Sequence, residues 1–309
     1  MIGRGVPVAV VCLLGLAQAA VRAAEFPPGA LDPQRVAWKE LRFAARKLGL
    51  SATVDIRLDA SAVEHFGADG RRRTDTSSAP PLRSPEILLE STSHLPGRTF
   101  LARERVDPLE ARAREIVDTE VGAKNHRKTY SLTGRGFLYD LLEPASRSET
   151  ALAPEGWTRR TRTFAVYPKA FPPGAALTGP AGLLYAASAA GLTAPGDYLT
   201  MYVLVQTQVE RVTVRVEGVE QVPLDFEEDS GGAINTVREQ LSAVRLVARS
   251  QPLEPASASA FRIFGLEGDV EILWDPVRRI PVELTGKVKL LGHVEVRLAS
   301  ATLRRATAE

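Results

Sequence analysis

The sequence predicts a mainly β protein: a long, curved antiparallel sheet, open or half-barrel-like, with one short helix packed on it. Three observations carry this. Leu48, Leu50, Ala52, Val54, Ile56 and Leu58 alternate with Gly49, Ser51, Thr53, Asp55 and Arg57, the period-two pattern of a strand with one buried face. Further strand-like runs follow as far as Leu303, separated by turns rich in Gly, Pro and Asp. Pro180 to about Gly191 reads as a short helix, with proline at its start and glycine past its end.

The N-terminus is read first because it sets the compartment. Arg4 precedes an apolar stretch from Val6 to Ala17, and Ala17-Gln18-Ala19 and Val21-Arg22-Ala23 offer cleavage patterns. This is the layout of a secretory signal peptide over 1–23, followed by one β-rich domain over 24–309. The expected location is therefore the periplasm. An uncleaved N-terminal anchor is the alternative, although the stretch is short for a bilayer. The only cysteine, Cys12, leaves with the leader, so the mature chain has no disulfide, thiolate nucleophile or cysteine metal site. About 285 residues remain, enough to bury roughly three quarters of the unfolded surface in a core.

The chain has 39 Lys and Arg against 37 Asp and Glu. Losing Arg4 and Arg22 leaves 37 of each sign, and zero net charge argues against a nucleic-acid partner. The longest later apolar stretch, Ala181 to Leu192, is about a dozen residues, so no transmembrane segment is expected after cleavage.

Trp38 to Asp59 reads as a hairpin. Ser61 to Pro85, with Arg71-Arg72-Arg73, is a long polar excursion expected to be partly disordered, and a solvated loop is a plainer reading of its arginines than a lipid anchor. Ile87 to Ser91 and Arg98 to Val106 flank the turn "HLPG". Asp107 to Val121 fits either a helix opened by a capping box or a tight proline turn between strands. Lys128 to Leu132 and Phe137 to Leu142 flank the glycine-containing loop Thr133 to Gly136. Glu143 to Gly156 is a loop, and Trp157 to Val166 a strand.

Leu199 to Val205 is apolar on both faces and is expected in the centre of the sheet. The apolar parity changes between Val209 and Val212, which predicts a turn or bulge around Glu210-Arg211. Glu227 to Gly232 reads as a loop and Val237 to Val247 as a strand, although a helix is open there. Phe261 to Phe264 with Val270 to Trp274, Ile280 to Leu290, and Gly292 to Leu303 complete the strands. Asp275-Pro276 is turn chemistry, and Pro281 belongs among the first residues of a strand or at an edge.

"LLYAASAAGLTAPGDY", the valine-rich hairpin after it, and "FGLEGDVEILWDPVRRIPVELTGKVKLLGHVEVRL" resemble a bacterial exported family, the domain of unknown function 3108 (DUF3108). "VDPLEARAREI" and "RKTYSLTGRGF" are similar in order and spacing to its middle section. The resemblance runs from about Trp38 to Leu303. It implies an envelope protein on a long curved antiparallel sheet and carries over no active-site residue.

No catalytic signature stands out. His65, His94, His126 and His293 do not fall at metal-ligand spacing, and no nucleophile elbow, phosphate loop or dinucleotide glycine pattern occurs. The reading is therefore non-catalytic, with no cofactor and no metal; a hydrolase built from distant residues is the remote alternative. Lys124, Arg127, Lys128 and Arg135, with Arg159, Arg160 and Arg162, would form a basic patch for anionic groups if their strands are neighbours. An ordinary charged sheet face is the plainer reading. Leu50, Val54, Ile56, Tyr202, Leu204 and Trp274 would line an apolar cleft for a lipid or other envelope hydrophobe, or else are plain core. The leading expectation is binding of such an apolar ligand. The alternative is a scaffold or assembly factor acting on an envelope protein partner through a sheet edge or loop.

Overall fold

Period-two alternation becomes strand pairing along nearly the whole chain. The computed structural model describes residues 31–47, 49–59, 86–254, 257–289 and 291–304. The expected leader and the 61–85 excursion lie outside the described residues, as does His65. The strands are β1 (Trp38–Lys47), β2 (Leu50–Asp59), β3 (Ile87–Leu95), β4 (Arg98–Val106), β5 (Ala113–Gly122), β6 (His126–Leu132), β7 (Gly136–Glu143) and β8 (Arg159–Val166). A two-residue β9 (Leu177–Thr178) precedes the helix α1 (Pro180–Ala190). Then come β10 (Tyr198–Val205), β11 (Gln208–Asp229), β12 (Ile234–Pro252), β13 (Arg262–Ile263), β14 (Leu266–Asp275), β15 (Ile280–Val288) and β16 (Gly292–Leu303).

All belong to one sheet, in the order β8-β7-β6-β5-β4-β3-β2-β1-β16-β15-β14-β12-β11-β10-β9, with β13 paired to β14. Among the described residues the first strand thus joins the last: Leu41 lies opposite Ala301 on β16 and opposite Ile56 on β2. Pairing is antiparallel except for β9 with β10 and three residues at the end of β11 with β16. The sheet curves without closing into a barrel.

The pleat places Leu41, Phe43, Val54, Ile56, Leu89 and Ile116 on the inner face, all buried. Against that face lies α1, in which every residue after Pro180 is buried. Pro180 starts the helix and Gly191 ends it in the left-handed region at φ 65°, as the sequence predicts. Trp38 Nε1 donates to Ser188 Oγ at 3.2 Å and ties β1 to the helix. Each large side chain so buried contributes on the order of 1.5–3 kcal/mol.

Three expectations are settled or corrected. Asp107 to Ala111 is the tight turn: Asp107 Oδ1 accepts from Leu109 and Glu110 N–H at 2.8 and 3.1 Å, and β5 follows. No helix forms, because Ala111 at φ 51° turns the chain back, Asp107 N–H donates to the Arg112 carbonyl at 2.9 Å, and β5 pairs with β4. The expected break at Glu210-Arg211 is instead a hairpin turn at Gln206-Thr207, with Gln206 at φ 57°. β11 runs unbroken through Glu210, whose buried side chain shares the inner parity of Val212, Val214 and Val216. β10 is not central but next to last, flanked on its outer side by the two-residue β9. Its two-sided burial comes from α1 and from the segment after β8, not from neighbouring strands.

Candidate functional site

Val54, Ile56, Tyr202, Leu204 and Trp274 belong to one continuous core cluster, each no more than 8% exposed. Leu50, at the hairpin tip of β2, is 44% exposed and lies outside it. The structure therefore does not gather the six as the wall of an open trough.

Tyr202 has a different task. Ring contacts run from Tyr139 to Tyr130 (5.3 Å between centroids), Phe137 (5.9 Å), Tyr167 (6.2 Å), Phe171 (4.6 Å) and Tyr202 (5.1 Å). This aromatic chain bridges β6 and β7 to β10, strands near opposite ends of the sheet. Offset and edge-on rings at such distances add to the area they bury.

The predicted basic patch is divided. β6 and β8 are both neighbours of β7 rather than of each other, and adjacent residues in a strand face opposite ways. Arg127, Arg160 and Arg162 fall on the outer face by register, while Lys128 and Arg159 fall on the inner one. Lys124 and Arg135 sit exposed in the turns at either end of β6. The charges are also met locally. Arg127 bonds Glu155 at 3.2 Å, Arg159 bonds Glu143 at 3.1 Å, and Lys128 lies opposite Asp118. Arg160 and Arg162 share one carboxylate, Asp140, whose hydrogen bonds with them hold its pKa down at about 2.

β8 differs from the rest of the sheet. It pairs with β7 on one side, and among the described residues no strand pairs with its other side. Seven of its eight positions are exposed. Arg160, Arg162, Phe164 and Val166 share the outer face, with Phe164 51% and Val166 72% exposed. At the Val166 end lies a cleft of about 50 Å³ between the end of β8 and the β10–β11 turn. Phe137, Val166 and Val209 supply its apolar wall; Gln208, Glu254 and Ser257 supply the polar one. Gln208, one of the lining residues, has a side-chain Oε1 buried without a hydrogen-bond partner. A lipid or drug-sized ligand needs at least about 300 Å³, several times this cleft.

Sequence reading missed the buried carboxylates. Glu104 on β4 is 1% exposed and accepts from the N–H groups of Gly179, Ala181 and Gly182 at the start of α1. Burial pushes its carboxyl up to about 7 against those N–H groups, and the nearby Asp118 adds to the rise. Burial likewise pushes Asp118 up to about 6, with Lys128 opposing. The Tyr130 hydroxyl is buried without a partner, and burial with the field of Asp118 raises its pKa. The available signal was parity: Glu104 falls in step with Ala102 and Val106. Among the described residues no three His, Cys, Asp or Glu side chains gather as a metal group.

No protein-family model matches the chain, and neither the curated proteins nor the solved structures contain a match. Among the described residues no helix is long and apolar enough to cross a membrane.

Proposed function

We propose that this is an exported, non-catalytic envelope protein that acts by holding a partner protein along the free edge of β8. The observation that carries the reading is that edge: an eight-residue strand, exposed at seven positions and unpaired on one side among the described residues. Edge strands present unpaired N–H and C=O groups, and proteins normally cover or shorten them unless pairing is their use. The packing of Val54, Ile56, Tyr202, Leu204 and Trp274 into the core favours this over carriage of an apolar ligand. Export rests on the leader pattern of the sequence and on its DUF3108 resemblance.

The test is site-specific photo-crosslinking in cells, with the reactive group at Thr161 and a control at Val277, 80% exposed in the turn between β14 and β15. One dominant protein adduct from Thr161, absent from Val277, is expected. Lipid adducts alone, or stoichiometric lipid in the purified protein, would replace partner binding with the carrier reading. Recovery of leader-bearing protein from the cytosol would remove the export claim.

A further inference from the structure

The nature of the partner can be taken further, on the premise that β8 is a binding edge. We infer that the partner contributes an extended acidic segment that adds to β8 and seats a small hydrogen-bond-donating side chain, Asn, Ser or Thr, in the cleft beside Val166.

Charge gives the first part. Arg160 and Arg162 are 56% and 54% exposed and share a single carboxylate, so one positive charge is left over on this face. Arg160 and Arg162 lie two residues apart on β8 with both guanidinium groups meeting at Asp140, and acidic side chains two residues apart on an added strand fall opposite the same two positions. Farther along the same face Phe164 and Val166 offer apolar contact. The face therefore reads basic, basic, apolar, apolar and then reaches the cleft.

The cleft gives the second part. In strand addition, main-chain bonds supply affinity and side-chain pockets supply selectivity. A water needs roughly 10–15 Å³ by the same measure, so about 50 Å³ admits a few heavy atoms. An amide or hydroxyl tip fits; an aromatic ring does not. Gln208 lines that wall, and its Oε1 is a buried acceptor without a partner; turned toward the cleft, it is satisfied by a donor.

The probes are two fluorescein-labelled heptapeptides, Glu-Thr-Glu-Thr-Val-Thr-Asn and its reverse, one for each strand direction, and the same pair with Ala for Asn. Binding to the purified chain is read by anisotropy, and contact by hydrogen exchange over Arg159–Val166. One Asn peptide should bind about tenfold tighter than its Ala counterpart and slow exchange in β8. Gln208→Leu should abolish the Asn preference, while Gln208→Glu, which keeps an acceptor in the same shape, should retain it. Arg160→Glu with Arg162→Glu should weaken all the peptides. If peptides protect β8 but Asn and Ala bind alike, the cleft assignment fails and the edge reading stands. If no peptide protects β8, both fail. Binding of phosphatidylglycerol vesicles through Arg160 and Arg162, with no peptide bound, overturns the inference in favour of a lipid surface.

Discussion

Glu104 Oε1 lies 2.8 Å from the N–H of Ala181, which joins β4 to the first turn of a helix 77 residues later. Glu104 Oε2 accepts from Gly179 and Gly182 as well. A helix begins with N–H groups that have no partner within it, and the N-cap here, Gly179, has no side chain to offer. Glu104→Ala would leave these donors buried and is expected to cost about 3 kcal/mol or more, at roughly 1–3 kcal/mol for each unsatisfied group. Glu104→Gln, which retains one acceptor oxygen, should cost less. Denaturant unfolding monitored by circular dichroism measures both.

Gly182 shows how closely the parts meet. A Cβ at this position would stand 1.9 Å from Thr178 Oγ1 and 2.9 Å from Glu104 Oε2. Replacing glycine by alanine inside a helix ordinarily gains about 1 kcal/mol. Gly182→Ala is expected to reverse that sign and lower the melting temperature, whereas Gly134→Ala, with open space around its Cβ, should leave it nearly unchanged.

The raised carboxyls make stability depend on pH. In the unfolded chain Asp118 and Glu104 titrate near the ordinary carboxyl values, 3.8 and 4.5; in the fold burial moves them to about 6 and about 7. As pH rises, the unfolded state loses these protons first. The stability that neutral carboxyls contribute is whole below about pH 4 and is lost as pH climbs through 7. Melting temperature should therefore fall between pH 5 and pH 8. Asp118→Asn should flatten that fall, with a gain at pH 8 of at most about 3 kcal/mol.

Arg278 is the hub of the turn that follows β14. It bonds Asp275, Glu228 and Glu239 at 2.9, 2.8 and 2.7 Å, and the Asp275 side chain is wholly buried. Burial opposes the guanidinium charge, but these hydrogen bonds outweigh it and raise its pKa. Arg278→Met would strand a buried aspartate and two carboxylates and should cost about 3–5 kcal/mol in thermal or denaturant unfolding. Arg278→Lys keeps the charge but loses the fork, so its loss should be intermediate.

Much of the fold was legible because alternation is local. The hairpin of β1 and β2 and the Asp275 turn follow from a few consecutive residues each. Division of the basic residues was legible too: Arg127 and Lys128 are adjacent and must face opposite ways. Knowing that Arg160 and Arg162 converge on Asp140 needs the register across strands, which one strand's sequence does not contain. Glu104 and Glu210 sit in step with apolar neighbours, so the pattern marked their burial, but what satisfies them comes from distant segments. β10 misled for a related reason. Two apolar faces report that both are covered, not whether strands, a helix or an aromatic loop does the covering.

The seam between β1 and β16 has a consequence for how the molecule is made. Arg304 reaches back to the carbonyl of Val36, 268 residues away, and β1 gains its second neighbour only from the last strand. A chain that emerges from its N-terminus must hold β1 half-paired until β16 has emerged. Long-range pairing of this kind folds slowly and leaves an edge open meanwhile. The central seam thus cannot close before β16 emerges, and a chaperone that shields β1 would act at the stage when that edge is open to misassembly.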